Sequence, residues 1–74
     1  MDDELINEQI RVERKQFTFA LKQNARGRLL KITEDVGGRR DTIIIPSTGL
    51  QQVRAAIDHM IEADQRFGPP PNGG

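Results

Sequence analysis

Apolar positions along this chain recur with a period of two over its first two-thirds and with a helical period after that. From Ile10 to Arg14, Ile10 and Val12 fall on one side and Arg11 and Glu13 on the other. From Gln16 to Asn24, Phe17, Phe19 and Leu21 share a face, while Thr18, Ala20, Lys22 and Asn24 share the opposite one. Alternation with β-favouring aromatics on one side is the pattern of a half-buried strand. A third strand is predicted from about Arg28 to Glu34, with Leu30 and Ile32 opposed to Leu29, Lys31 and Thr33. Thr42 to Ile45 predicts a fourth, whose continuous isoleucines imply cover on both faces, and Pro46 ends it. Asn24-Ala25-Arg26-Gly27 and Gly37-Gly38 supply the intervening turns.

The pattern then changes. Leu50, Val53, Ile57, Met60, Ile61 and Phe67 fall on one arc at 100° per residue, which predicts an amphipathic helix of about five turns. Ser47 and Thr48 are candidate N-caps, and Thr48 with Gln51 has capping-box spacing. Gly68 is the expected C-cap, and Pro69-Pro70-Pro71 bars continuation. The fold class is therefore α+β: a four-stranded antiparallel sheet followed by one helix, β-β-β-β-α. One helix can cover one face of such a sheet, so the other must meet solvent or a ligand.

Length narrows the picture. Seventy-four residues allow one domain, and a chain this short buries only about 60% of its unfolded surface. With no cysteine and one histidine, neither disulfides nor a thiolate or His-rich metal site can supplement the core. A second subunit is the favoured remedy. The N-terminus is acidic and shows no signal-peptide pattern. The longest apolar run, Ile43-Ile44-Ile45, is far short of a membrane span. A soluble, cytoplasmic protein is expected.

The overall charge of zero conceals segregation. Between Arg11 and Arg40 nine basic residues face three acidic ones, a net of +6, and the remainder of the chain carries −6. Such asymmetry points to a polyanionic partner, although a solvated charged face gives the same composition. Alternation puts Lys22, Asn24, Leu29, Lys31 and Thr33 on the open face, around the turn that carries Arg26. Arg28 has core-side parity, with a stem long enough to reach the rim. Cations, an amide and an exposed apolar group on an open β-face suit single-stranded nucleic acid. The helix, with Asp58 and Glu62 on its outer side, is a poor reader of a duplex groove.

Lys22-Gln23-Asn24-Ala25-Arg26-Gly27-Arg28-Leu29-Leu30-Lys31-Ile32 resembles the hallmark of the Pur repeat, the Pur-alpha-like family, whose pattern runs roughly K-x-N-x-R-G-R-F-[LI]-[KR]-[IV]. The similarity extends to Phe17-Thr18-Phe19-Ala20-Leu21, to Gly38-Arg39-Arg40-Asp41-Thr42-Ile43, to Val53-Arg54 and to Phe67-Gly68-Pro69, covering about residues 8 to 69. It implies a Whirly-like PUR repeat of the single-repeat, bacterial type, nucleoid-associated if bacterial. It also implies binding of single-stranded DNA or RNA, with a preference for purine-rich sequence, and an intertwined homodimer that exchanges helices. Lys22 and Asn24 match the family's contacts to base and backbone, and Arg26 its loop arginine. Arg28, Leu29 and Lys31 complete the expected nucleic-acid-binding set, and Leu50, Val53, Ile57, Met60, Ile61 and Phe67 the expected dimer interface. Where the family stacks a base on Phe, this chain has Leu29.

On this reading residues 1–7 are an acidic lead, 8–68 the repeat and 69–74 a Pro/Gly-rich tail. Phe17 and Phe19 are read as core rather than as stacking platforms, and His59 as a solvated surface residue. Asp64 lies inside the apolar arc, either exposed at a fraying helix end or paired with a cation of a second subunit. Arg39-Arg40 is equally an auxiliary phosphate contact or turn solubility, and Leu29 either meets a base or is covered in the dimer. Nothing in the sequence supports an enzyme, a cofactor, a metal, a membrane or a small-molecule substrate. The rival reading is a protein-interaction module docking an acidic or peptide partner on the same face.

Overall fold

In a computed structural model, which describes residues 3–71, the order is β-β-β-β-α. Strands β1 (Asp3–Val12), β2 (Lys15–Asn24), β3 (Gly27–Val36) and β4 (Arg39–Pro46) form one antiparallel meander in the order β1-β2-β3-β4. Helix α1 (Leu50–Phe67) follows a 3-10 turn at Ser47–Gly49. The four strands and the helix agree with the sequence reading in kind and order. The first strand is longer than the alternation suggested, beginning at Asp3 rather than Ile10, with a register shift between Glu4 and Ile6. Met1, Asp2 and residues 72–74 of the expected lead and tail lie outside the described residues.

Two-residue connections set the registers. Gly37 and Gly38 take φ of +59° and +88°, the left-handed pair that matches the twist of a β-hairpin. They pair Val36 with Arg39, and every later partner in β3 and β4 follows. Between β2 and β3 the chain turns at Ala25-Arg26, and Gly27 leaves the turn at φ +135°. Glu13 opens the β1–β2 turn at φ +56°, in the left-handed region.

The sheet has two unlike faces. Residues paired directly across strands share a face. One face therefore carries Ile6, Ile10 and Val12 from β1, Phe17, Phe19 and Leu21 from β2, Leu30 and Ile32 from β3, and Ile43 and Ile45 from β4. The other is largely polar.

The helix is not where a self-contained fold would put it. α1 packs on the 3-10 turn that precedes it and makes no substantial contact with any strand. Within one chain, therefore, it leaves both faces of its own sheet uncovered. Phe17 and Phe19, read as core, lie on the apolar face and are half-buried. Among the described residues the sole buried apolar side chain is Ala20, in the middle of the polar face. Ile43 and Ile44 are 57% and 54% exposed, so the isoleucine run is not covered on either side within one chain. The radius of gyration is 15.0 Å, against about 11 Å for a compact domain of this length.

The helix ends also differ from each other. Pro46 holds φ at −58°, and the chain tightens through Ser47–Gly49 before the α-helix begins, which makes Gly49 the N-cap. The Thr48–Gln51 capping box is thereby lost, because Thr48 sits one residue too early, and no side chain caps the helix. At the other end Gly68, at φ +74°, donates its N–H to the Gln65 carbonyl, the expected glycine stop. Among the described residues no helix is long and apolar enough to cross a membrane.

Candidate nucleic-acid interface

Cross-strand pairing resolves the polar face into rows. Lys22 stands opposite Leu29, and Leu29 opposite Pro46, with Glu4 on the outer flank of Lys22. The next row is Asn7, Ala20, Lys31 and Ile44; the next is Gln9, Thr18, Thr33 and Thr42; the last is Arg11, Gln16, Asp35 and Arg40. Small Ala20 sits at the centre of this face, between Asn7 and Lys31 in its row. Asn24 and Gly27 close the opposite end, where the turn presents Arg26.

Asn24 has a local structural task. Its Oδ1 accepts the Arg26 backbone N–H at 2.8 Å, an Asx turn that fixes the chain as it leaves β2. The exposed Arg26 is held at the tip of this turn. Lys22 and Lys31 are half-buried, their stems lying along the sheet. Arg28 departs from the group: it belongs to the apolar face, where its Nε donates to Gln23 Oε1 at 2.8 Å. Of the six expected site residues, Lys22, Leu29 and Lys31 share the open face with Asn24, Arg26 crowns its end, and Arg28 reaches only its edge.

The far end of the polar face is a hydrogen-bonding array. Gln16 Nε2 donates to Gln9 Oε1 at 3.0 Å, and the Thr33 and Thr42 hydroxyls lie 3.3 Å apart. Asp35 accepts the Gly38 N–H at 3.0 Å and Arg40 Nε at 3.1 Å, which ties the Arg40 guanidinium to its cross-strand partner on this face. Arg40 is thus part of the polar face, whereas Arg39 lies on the apolar one.

Lys15 pairs with Glu34 at 2.9 Å on the apolar side. The hydrogen bond to Glu34, and then its charge, raise the Lys15 pKa above the ordinary lysine value.

Reasoning from sequence weighed Arg40 as an auxiliary phosphate contact, but overlooked Arg11, Gln9, Gln16, Ile44 and Pro46 as members of this face. Ile44 and Pro46 stand beside Leu29 and Lys31, where Asn24, Arg26, Arg28, Leu29, Ile44 and Pro46 line a depression of about 250 Å³. The apolar stripe of α1 is where the pattern put it but has nothing to pack on. Ile57, Met60, Ile61 and Phe67 are exposed, Phe67 to 81%, and Leu50 and Val53 are half-buried.

Residues 2–71 match the model of the family described as PurA ssDNA and RNA-binding protein. The chain belongs to the PurA family. It is also 39% identical over 64 residues, 86% of its length, to "Transcription factor Pur-alpha 1" of Arabidopsis thaliana. It spans only 22% of that relative's length. The family is one of nucleic-acid-binding proteins rather than enzymes.

Proposed function

We propose that this PurA-family chain binds single-stranded DNA or RNA on the polar face of its sheet and does so as a homodimer. The observation that carries the reading is the gathering of Lys22, Asn24, Leu29 and Lys31 on one open face, capped by Arg26, while the apolar residues take the other face. Lys22, Lys31, Arg26, Arg11 and Arg40 neutralise phosphates, and the strength of that attraction is set by counterion release. The amides and hydroxyls of Asn24, Gln9, Gln16 and Thr18 present donors and acceptors to unpaired base edges. A sheet of this width meets a splayed single strand better than it enters a duplex groove. The preference for purine-rich sequence belongs to the same proposal, as does a cytoplasmic location, nucleoid-associated in a bacterium.

The dimer is supported by what the single chain leaves uncovered. Its accessible surface is 6485 Å², whereas a compact monomer of 8.3 kDa exposes about 4,600 Å². The excess of roughly 1,900 Å² per chain, removed from two copies together, falls within the roughly 2,000–5,000 Å² of obligate dimers. Each α1, unattached to its own sheet, lays Leu50, Val53, Ile57, Met60, Ile61 and Phe67 on the apolar sheet face of the second copy. Such an exchange leaves both polar faces open.

A titration of labelled purine-rich single strand, scrambled single strand and duplex against wild type and a Lys22→Ala/Asn24→Ala variant tests the binding face. Wild type prefers the single strands, and the variant binds them at least tenfold more weakly with an unchanged circular dichroism spectrum. Equal affinity of the folded variant for single strand would remove this face from the account. Tight binding of an acidic peptide, with none of nucleic acid, would favour the protein-docking alternative.

A further inference from the structure

Ile44 is the anomaly of the polar face. It is 54% exposed, it ends its row on the edge strand beside the charged Lys31, and the apolar side of the sheet is on the far side of the backbone. Its direct cross-strand neighbour is Lys31, and the adjoining pair is Leu29 with Pro46. Leu29, Ile44 and Pro46 thus form one contiguous aliphatic floor, and Asn24, Arg26 and Arg28 line the same depression. Lys22 stands directly across from Leu29.

An apolar floor ringed by cations fits one kind of occupant. Acidic protein segments would satisfy the cations but leave the floor wet, and an apolar peptide would strand the cations. A nucleotide satisfies both at once, its phosphate meeting Lys22, Lys31 or Arg26 while its base covers the floor. We infer that Ile44, together with Leu29 and Pro46, is the seat of one unstacked base of a bound single strand. The inference rests on the proposed binding of nucleic acid to this face. It assigns Ile44 and Pro46 a direct ligand contact and replaces a single stacking ring with a three-residue aliphatic shelf. The contact draws on removal of apolar surface from water rather than on π-stacking.

The shelf is tested with two matched 12-nucleotide single strands, one bearing bases and one abasic, titrated by fluorescence anisotropy against wild type, Ile44→Thr and Ile44→Tyr. Both substitutions suit an exposed strand position, and circular dichroism verifies the fold. Ile44→Thr weakens binding of the base-bearing strand by at least about fourfold, the equivalent of one buried methylene. Ile44→Tyr tightens it by offering a ring. Neither changes affinity for the abasic strand. Equal loss on both strands, or no change on the base-bearing strand, overturns the shelf while leaving phosphate binding by the face intact. If wild type binds neither strand, the proposed function falls and the shelf falls with it.

Discussion

Charge on the polar face makes a quantitative prediction about salt. Five cations belong to this face or its rim: Arg11, Lys22, Arg26, Lys31 and Arg40. Asp35, 3.1 Å from Arg40 Nε, partly neutralises one of them, which leaves between four and five to displace counterions. For single strands log K falls with log salt at about −0.7 per phosphate neutralised, so one face gives a slope of about −3. Affinity for a 12-nucleotide strand then drops roughly sixtyfold between 50 and 200 mM salt. Removing two of the contacts in Lys22→Ala/Lys31→Ala brings the slope to about −1.6 and the same drop to roughly tenfold. Arg66→Ala, on the outer side of the helix, leaves the slope unchanged. Anisotropy titrations at four salt concentrations measure all three slopes. A wild-type slope near zero, or a double variant that keeps the full slope, would refute the assignment of these lysines to phosphate contact.

Other outcomes follow from particular residues. Leu29→Phe, which places a ring on the shelf where the family has one, tightens single-strand binding by up to about tenfold in the same assay. Equal or weaker binding would mean that no base reaches this position. Wild type sediments at about twice 8.3 kDa at micromolar concentration, whereas Ile57→Asp puts a charge into the helix–sheet contact and weakens the dimer by more than a hundredfold, at about 3 kcal/mol or more per site. A single-chain mass for wild type would exclude the helix exchange. Lys15 is held protonated by Glu34, so its pKa is raised on folding. The stabilisation is fully present below the ordinary lysine value and is lost as pH rises through the raised one. The urea midpoint of wild type therefore exceeds that of Lys15→Met at pH 8, and the gap closes in strongly alkaline solution; a gap that persists there would assign the effect to the side-chain stem.

Much of the sheet was legible because its determinants are local. Gly37-Gly38 enforces a two-residue hairpin, and Phe17, Phe19 and Leu21 show which parity of β2 is apolar. The same turn carried more information than the alternation alone yielded. Pairing Val36 with Arg39 places Ile44 opposite Lys31 and Pro46 opposite Leu29, so the aliphatic part of the site follows from the turn. The uninterrupted isoleucines obscured it, since a continuous apolar run also fits a strand covered on both sides. The start of β1 was missed for a related reason. Its Glu4-Leu5-Ile6 stretch breaks period two at the register shift. Where the helix lies was not legible from its pattern alone; the family resemblance, not the stripe, implied an exchange of helices. An amphipathic stripe specifies that an apolar surface must be met, and it is silent on whether that surface belongs to the same chain. Likewise Thr48-Gln51 has the spacing of a cap, but Pro46 and Gly49 favour a tighter turn first.

The central claim is that the polar face of the sheet, and not the helix or the apolar face, receives single-stranded nucleic acid. Backbone amide chemical shifts followed by NMR during titration with a purine-rich 12-mer test it residue by residue. The account predicts shifts concentrated at Lys22, Asn24, Arg26, Leu29, Lys31 and Ile44, with Asp58, His59 and Glu62 on the outer helix surface unmoved. Shifts confined to the helix, or none at saturating oligonucleotide, would contradict it.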